Sequence, residues 1–103
     1  MKDGFERIVL TYDERCGTRK IAFNGKWLYS TNDYDSREIW EQSVAITENE
    51  RLLVYHYNTD SSLGYYEVYD SFELFAEDEN IFEEIKAGVA EEIGEDYVEF
   101  LDI

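Results

Sequence analysis

The sequence of 103 residues contains no proline, one cysteine and one histidine. The absence of proline removes the rigid linkers that often mark domain boundaries, and the length fits a single domain. Because Cys16 is the only cysteine, the chain cannot form an intrachain disulfide, which argues against a secreted, disulfide-bridged scaffold. These absences favour one domain in a reducing compartment.

Positive charge and long apolar segments are also scarce. Lys and Arg number 9 against 25 Asp and Glu, which leaves a formal net charge of −16 at pH 7. Phosphate affinity comes from clustered Lys and Arg, so no direct nucleic-acid binding is expected. No stretch approaches the roughly 20 apolar residues of a membrane span, and the first residues lack the apolar run of a signal peptide. We therefore expect a cytoplasmic protein that does not bind membranes.

The chain is nevertheless rich in the residues that build a core. Hydrophobic residues make up 44 % of the sequence and aromatic residues 17 %, including nine Tyr, six Phe and two Trp. Acidic disordered segments are poor in aromatic and β-branched residues. A disordered acidic tail is therefore excluded, and we predict one folded domain over residues 1–103.

The first two thirds of the chain have the composition of β-structure. Apolar patterning predicts strands over residues 5–12, 20–23, 26–29, 38–47, 51–58 and 65–69. The dipeptide Asn24-Gly25 lies between two apolar runs and predicts a tight hairpin, because type I′ turns need positive φ at both central residues. Short connections between successive strands imply an antiparallel meander.

The apolar period changes at Asp70. Asp70 followed by Glu73 fits a helix-capping pattern, which predicts one or two helical turns to about residue 77. A longer helix is predicted over residues 79–93 and ends at Gly94. Its apolar stripe should pack on one sheet face through Ile81, Phe82, Ile85, Val89 and Ile93. Residues 97–103 return to strand composition. The predicted fold is α+β: an antiparallel sheet of about six or seven strands, with one C-terminal amphipathic helix before the last strand.

The sequence ends in E-x-L-D-I at residues 99–103. Upstream lie the segments YEVYD at residues 66–70 and FEL at residues 72–74, followed by the acidic helix. This order, over the last third of the chain, resembles the EXLDI family of small proteins, which is named for its C-terminal motif. That family has no established activity. The resemblance therefore implies a shared fold and carries no catalytic residue over to this chain.

The negative charge is concentrated in the last third of the chain. From Asp70 onward there are 13 carboxylates and one base, Lys86, which leaves −12, whereas the first 69 residues carry −4. Such a helix face either keeps the protein soluble or meets a basic partner. The leading prediction is a non-enzymatic protein-interaction module that contacts a basic protein through Glu79, Glu83, Glu84 and Glu91. A more specific version is an acidic inhibitor or immunity-type protein that blocks a nucleic-acid-binding partner.

The aromatic residues predict an alternative function. Trp27 and Tyr29 are predicted to share one face of their strand, as are Tyr55 and Tyr57. Rings on a concave sheet can stack on a flat or sugar-like ligand, although cross-strand packing is the simpler interpretation. The alternative is therefore a small-ligand-binding domain that uses these four rings.

Other constellations indicate no catalytic chemistry. Nothing in the spacing links Cys16, in a turn, with His56, in the middle of a strand, as a nucleophile pair. The oxygen-rich loop at residues 32–36 lacks the further positions and the glycine of an EF-hand calcium loop. We predict no catalytic residue, no metal ligand and no cofactor, and the sequence leaves the oligomeric state open.

Overall fold

The computed structural model describes residues 4–14, 17–30 and 40–98, and the fold is given for these ranges. Five strands come first along the chain: β1 (Glu6–Glu14), β2 (Gly17–Ser30), β3 (Trp40–Thr47), β4 (Leu52–Asn58) and β5 (Leu63–Tyr69). Two helices follow them: α1 (Phe72–Glu77) and α2 (Glu83–Ile93). The strands form one antiparallel sheet in the order β1-β2-β3-β4-β5. The α+β class and the antiparallel meander are confirmed.

The predicted hairpin at Asn24-Gly25 is wrong. Neither residue has a positive φ, and β2 runs through them as one strand of 14 residues. Gly25 pairs with Glu6 of β1 on one side and with Thr47 of β3 on the other. Pairing with β1 before Gly25 and with β3 after it keeps the strand continuous, and these two ladders outweigh the local preference of two residues for a turn.

Gly25 has a packing role in place of the predicted turn. A Cβ atom at this position would lie 2.6 Å from Cε2 of Phe23 and 2.9 Å from the carbonyl oxygen of Ile46. Gly25 is buried, so only a residue without a side chain lets the Phe23 ring and β3 approach this closely. The glycine marks a close approach inside a strand.

The described residues contain fewer strands than predicted. The two predicted strands at residues 20–23 and 26–29 are parts of β2. Tyr97 and Val98, at the start of the predicted last strand, lie outside any strand, and residues 99–103 with the E-x-L-D-I motif lie outside the described residues. The predicted six or seven strands and the strand after the helix are therefore not confirmed. Within the described ranges, no helix combines the length and the apolar character needed to cross a membrane.

The sheet curls so that its first and last strands approach each other. The Tyr55 hydroxyl of β4 donates to the carbonyl oxygen of Thr11 in β1 at 3.0 Å, although two strands separate β4 from β1 in the sheet order. The Gly64 N–H of β5 donates to Oδ2 of Asp13 at 2.6 Å. These contacts span one side of the sheet, which we call the concave face. The helices cover the other side, the helix face.

The main core lies on the helix face. Its buried residues come from two strands, the two helices and the turn between the helices: Val44, Leu52, Val54, Phe75, Ile81, Ile85 and Val89. Phe82 and Ile93 are partly buried against this cluster. The predicted burial of the apolar stripe is thus confirmed for Ile81, Ile85 and Val89, whereas Phe82 and Ile93 pack at the edge of the core. A smaller set of buried residues lies toward the concave face: Ile8, Ala45 and Leu53.

Both helices begin later than predicted. The side chain of Ser71 caps α1 by accepting the Leu74 N–H, so Ser71 and not Asp70 is the N-cap. The second helix begins at Glu83, whereas the predicted start at residue 79 lies in a turn. Asp78 forms this turn by accepting the Asn80 N–H at 2.9 Å through its own side chain. The predicted end is confirmed, with Gly94 in the left-handed conformation at φ 75°.

Candidate functional site

The concave face contains an open cavity of about 400 Å³. Its described lining consists of residues 9–11 of β1, Trp27 of β2, Glu41 and Ser43 of β3, and Tyr55 and Tyr57 of β4. Four strands therefore contribute to it, and the curl of the sheet brings them together. The volume falls in the range of small-molecule sites, about 300 to 1,000 Å³.

Three of the four aromatic residues predicted to bind a ligand meet at this cavity. Trp27, Tyr55 and Tyr57 all line it, and Trp27 is 37 % exposed. The rings of Tyr55 and Tyr57 lie 6.3 Å apart between centroids, with 23° between their planes. The predicted shared face of Tyr55 and Tyr57 is confirmed.

Tyr29 does not join the other three rings. The pairing of β2 with β3 shifts by one residue after Trp27, so Trp27 pairs with Ala45 and Tyr29 pairs with Val44. This β-bulge at Leu28 breaks the two-residue alternation and turns Tyr29 to the helix face. There the Tyr29 ring packs so close to Gly88 that a Cβ atom would lie 2.5 Å from two ring carbons. The prediction that Trp27 and Tyr29 share a face is wrong.

Tyr55 is held in place before any ligand arrives. Its hydroxyl donates to the Thr11 carbonyl oxygen at 3.0 Å and lies 3.2 Å from the Thr11 hydroxyl. A Cβ atom on Gly64 would lie 2.1 Å from the same hydroxyl, so the glycine makes room for the phenol to reach β1. A ring fixed in this way loses little conformational freedom when a ligand packs on it.

Polar groups lie beside the rings at the cavity wall. In the register of β3 and β4, Glu41 pairs with Tyr57 and Ser43 pairs with Tyr55. Side chains of directly opposite residues share a face and have Cβ atoms about 4.5 to 5.5 Å apart. The Ser43 hydroxyl also lies 2.9 Å from the Ser30 hydroxyl. Sequence reasoning missed Glu41 and Ser43, because their place at the cavity depends on the strand register.

A second cavity of about 490 Å³ lies farther along the same face. Its lining is mainly apolar and includes Phe23, Leu53 and Tyr66. Arg51 lies at its edge, where its Nε atom is 3.2 Å from Oδ1 of Asp70. Among the described residues, both recesses lie on the concave face, and three of the four rings predicted from the sequence line the first.

A polar network lies on the helix face, away from the cavity. Its members are the buried side chains of Gln42 and His56 and the partly buried side chains of Glu67, Tyr69 and Asp78. Gln42 accepts the Phe82 N–H at 3.0 Å and donates to the Asn80 carbonyl oxygen at 2.7 Å. It therefore fixes the segment that leads into α2. Sequence reasoning missed this residue, which carries no apolar or ionic signal.

His56 packs inside this network. Its ring stacks on Tyr65 with 4.5 Å between centroids, and its Nδ1 atom lies 3.4 Å from Nε2 of Gln42. Its Nε2 atom has no hydrogen-bond partner within the described residues and lies 3.5 Å from Oε1 of Glu67. Burial lowers the pKa of His56, and the nearby charge of Glu67 opposes that shift. The lowered pKa favours the neutral form of the ring, which packs on Tyr65 inside the network.

Tyr69 links the two carboxylates of the network. Its single hydroxyl proton is shared between Oε2 of Glu67, at 2.9 Å, and Oδ2 of Asp78, to which the hydroxyl also donates. Burial, together with the hydrogen bond to Asp78, raises the pKa of Tyr69 well above its usual value. The hydrogen bond from Tyr69 lowers the pKa of Asp78. These groups attach the turn after α1 to strand β5.

The four carboxylates predicted to bind a partner are all exposed. Glu79 lies in the turn before α2, and Glu83, Glu84 and Glu91 lie on the helix itself. Lys86, the one base after Asp70, is 4 % exposed, with its Nζ atom 3.6 Å from Oε1 of Glu83. The hydroxyl of Tyr97 also donates to Glu83. Glu84 and Glu91 are two helical turns apart, about 10 Å, on the solvent side.

The remaining sequence predictions concern residues that the structure does not describe. Cys16, the loop at residues 32–36 and the E-x-L-D-I motif lie outside the described ranges. Within those ranges, no group of three or more His, Cys, Asp or Glu side chains is placed to hold a metal ion. Compared with protein-family models, with curated proteins and with solved structures, the chain shows no significant match.

Proposed function

We propose that the protein is a non-enzymatic binding protein of the cytoplasm that takes a small ligand in the cavity of its concave face. The observation that supports this proposal is the convergence of Trp27, Tyr55 and Tyr57 on one recess of about 400 Å³. These rings border open space, and Tyr55 is already fixed by Thr11.

The proposal assigns binding to the cavity and structural roles to the titratable groups on the helix face. His56 is buried beneath Tyr65, and Tyr69 ties together Glu67 and Asp78. None of these side chains lines the cavity. The polar groups at the cavity, Glu41 and Ser43, are suited to orienting a ligand beside the rings.

A ligand screen by saturation-transfer NMR tests this function. The library should contain sugars, nucleosides, amines and small aromatic compounds, each offered to the intact chain. We expect binders that are lost in Tyr57→Ala and retained in the matched control Tyr65→Ala. Both substitutions remove a tyrosine ring from the same sheet, but Tyr65 lies on the helix face against His56. Hits that survive Tyr57→Ala, or a library without hits, would contradict the proposal.

A second candidate function is contact with a basic protein through the acidic helix surface of Glu79, Glu83, Glu84 and Glu91. The observation that favours it is the burial of Lys86, which leaves ten exposed carboxylates between Asp70 and Asp96 without an exposed Lys or Arg in that segment. Exposed charge of one sign steers and orients oppositely charged partners. If the partner binds nucleic acid, the carboxylates would occupy the site of its phosphates.

Capture of partners with matched variants tests this second function. The four glutamates are changed to Gln together, and a control chain carries Glu6→Gln, Glu48→Gln, Glu50→Gln and Asp60→Asn. Both variants remove four negative charges, but the control changes exposed residues of the sheet and its loops. A basic partner should be lost with the first variant only. Equal capture by both would show that net charge alone is responsible, and competition with DNA would identify the inhibitor version.

Membership of the EXLDI family also stands as a proposal. It rests on the E-x-L-D-I sequence at residues 99–103 and on the order of the segments before it. A structure of a protein with the same terminal motif would test it. The expected result is the same curled five-stranded sheet followed by two helices.

A further inference from the structure

The charge at the cavity on the concave face bears on the class of ligand. Glu41 carries the only formal charge at neutral pH among the described residues of the lining. The protein as a whole carries −16, which favours the approach of cations and opposes that of anions. Phosphorylated sugars, nucleotides and carboxylic acids are therefore poor candidates, and the choice lies between neutral and cationic ligands.

The aromatic faces distinguish between these two classes. A cation within about 6 Å of a Trp or Tyr ring is attracted by the negative face of the ring, and the attraction is worth about 0.5 to 2 kcal/mol. Trp27, Tyr55 and Tyr57 supply three such rings around one recess. Glu41 pairs with Tyr57 across β3 and β4 and lines the same recess, so its carboxylate can act as a counter-ion for a cation bound at these rings.

The same lining favours an organic cation over a metal ion. A metal ion keeps its hydration unless several oxygen or nitrogen ligands replace it. Within the described residues no group of three such acidic, His or Cys side chains is placed to do so. An alkylated ammonium group is weakly hydrated, and its methyl groups bury apolar surface against Val9, Leu10 and the rings.

We infer that the cavity binds a small organic cation with an alkylated ammonium group, held against Trp27, Tyr55 and Tyr57 and paired with Glu41. This inference rests on the proposed ligand-binding function and names its ligand class. The Tyr55 ring is fixed by Thr11, so the site is partly formed in the free protein. The same chemistry is offered by a free molecule such as choline and by a trimethylated lysine in a peptide. We assign the free molecule, because the volume of about 400 Å³ lies in the range of small-molecule sites.

Isothermal titration of the intact chain at low salt tests the inference. The probes are tetramethylammonium, choline, a peptide that carries a trimethylated lysine, and the uncharged carbon analogue of choline, in which a tert-butyl group replaces the trimethylammonium group. We expect choline to bind at least about tenfold more tightly than its uncharged analogue. Glu41→Gln should weaken choline binding by about fivefold and leave the uncharged analogue unaffected. Glu48→Gln removes the same charge from the turn after β3 and should have a much smaller effect.

The outcomes separate this inference from the proposed function. Equal affinity for choline and its uncharged analogue, or equal effects of Glu41→Gln and Glu48→Gln, would overturn the cation assignment. If neutral hits from the screen are then lost in Tyr57→Ala, the ligand-binding function stands without it. Binding of a trimethyl-lysine peptide but of no free ammonium compound would overturn the assignment to a small molecule. Absence of every ligand would overturn both the inference and the function.

Discussion

Replacing Gly88 with Ala sets two effects of known size against each other. Gly88 lies inside α2, where Ala is the better helix former by about 1 kcal/mol. In an isolated helix the substitution would therefore stabilise. In this fold the new methyl group would lie 2.5 Å from Cδ2 and Cε2 of Tyr29. Normal carbon contacts are about 3.5 to 4.0 Å, so the methyl group and the ring overlap by about 1 Å.

The geometry of the ring decides which effect is larger. The Cγ atom of Tyr29 lies 3.1 Å from the added Cβ, so rotation of the ring cannot relieve the contact. The whole side chain must shift against the partly buried residues around it. Overpacking of this kind costs about 1 to 3 kcal/mol, and the overlap places it in the upper half of that range. After subtracting the gain in helix propensity, we expect a net loss of about 1 to 2 kcal/mol in the free energy of unfolding.

Urea unfolding followed by far-ultraviolet circular dichroism measures this change, with a double-mutant cycle as the control. In a Tyr29→Val background the ring is absent, so Gly88→Ala should stabilise by about 0.5 to 1 kcal/mol. Ala87→Gly, on the exposed side of the same helix, should cost about that much in either background. A stabilising effect of Gly88→Ala in the wild-type background would refute the packing of Tyr29 on α2. It would also contradict the assignment of Tyr29 to the helix face, which rests on the bulge at Leu28.

Three further predictions concern the helix face and the total charge. Gln42→Leu should lower the free energy of unfolding by about 2 kcal/mol, because the Phe82 N–H and the Asn80 carbonyl oxygen lose their hydrogen bonds to Gln42. An unchanged urea unfolding curve would contradict this role of Gln42. Because burial lowers the pKa of His56 from 6.5, the unfolded chain binds the proton more readily, so stability is present above pH 6.5 and is lost below it. In urea unfolding, the wild type should therefore lose stability relative to His56→Gln as the pH falls from about 7 to 5. A gain in stability over this range would mean that the charge of Glu67 affects the pKa of His56 more than burial does. Moderate salt should raise the unfolding temperature by screening the charge of −16, and a flat or falling response would contradict this.

Alternation of apolar residues located most of the sheet. Strands β1, β3, β4 and β5 overlap the segments predicted from period-two patterning, because each has a face that must be buried. The burial of Ile81, Ile85 and Val89 followed from their four-residue spacing for the same reason. Where burial alone dictates the position of a residue, the sequence pattern is sufficient.

The prediction of a hairpin at Asn24-Gly25 was wrong because pairing with distant strands outweighs the local turn preference of these two residues. A type I′ turn there would have divided β2 and folded residues 26–29 back on residues 20–23, away from β3, with which residues 25–30 pair. The predicted start of α2 was wrong for a similar reason, because hydrogen bonds from Asn80 to Asp78 and from Phe82 to Gln42 hold residues 80–82 outside the helix. Gln42 lies 40 positions from Phe82, a distance that no local pattern reports.

By itself, the sequence determined the composition of the candidate sites. It fixed the excess of carboxylates after Asp70, the scarcity of bases and the pairing of Tyr55 with Tyr57 on one face, since each depends only on residue type or period. Which rings meet was decided by tertiary structure. One bulged residue at Leu28 reverses the alternation and sends Tyr29 to the helix face, while the curl of the sheet brings Trp27 to the tyrosines. Register and curvature arise from contacts between strands, so they appear only when the strands are paired.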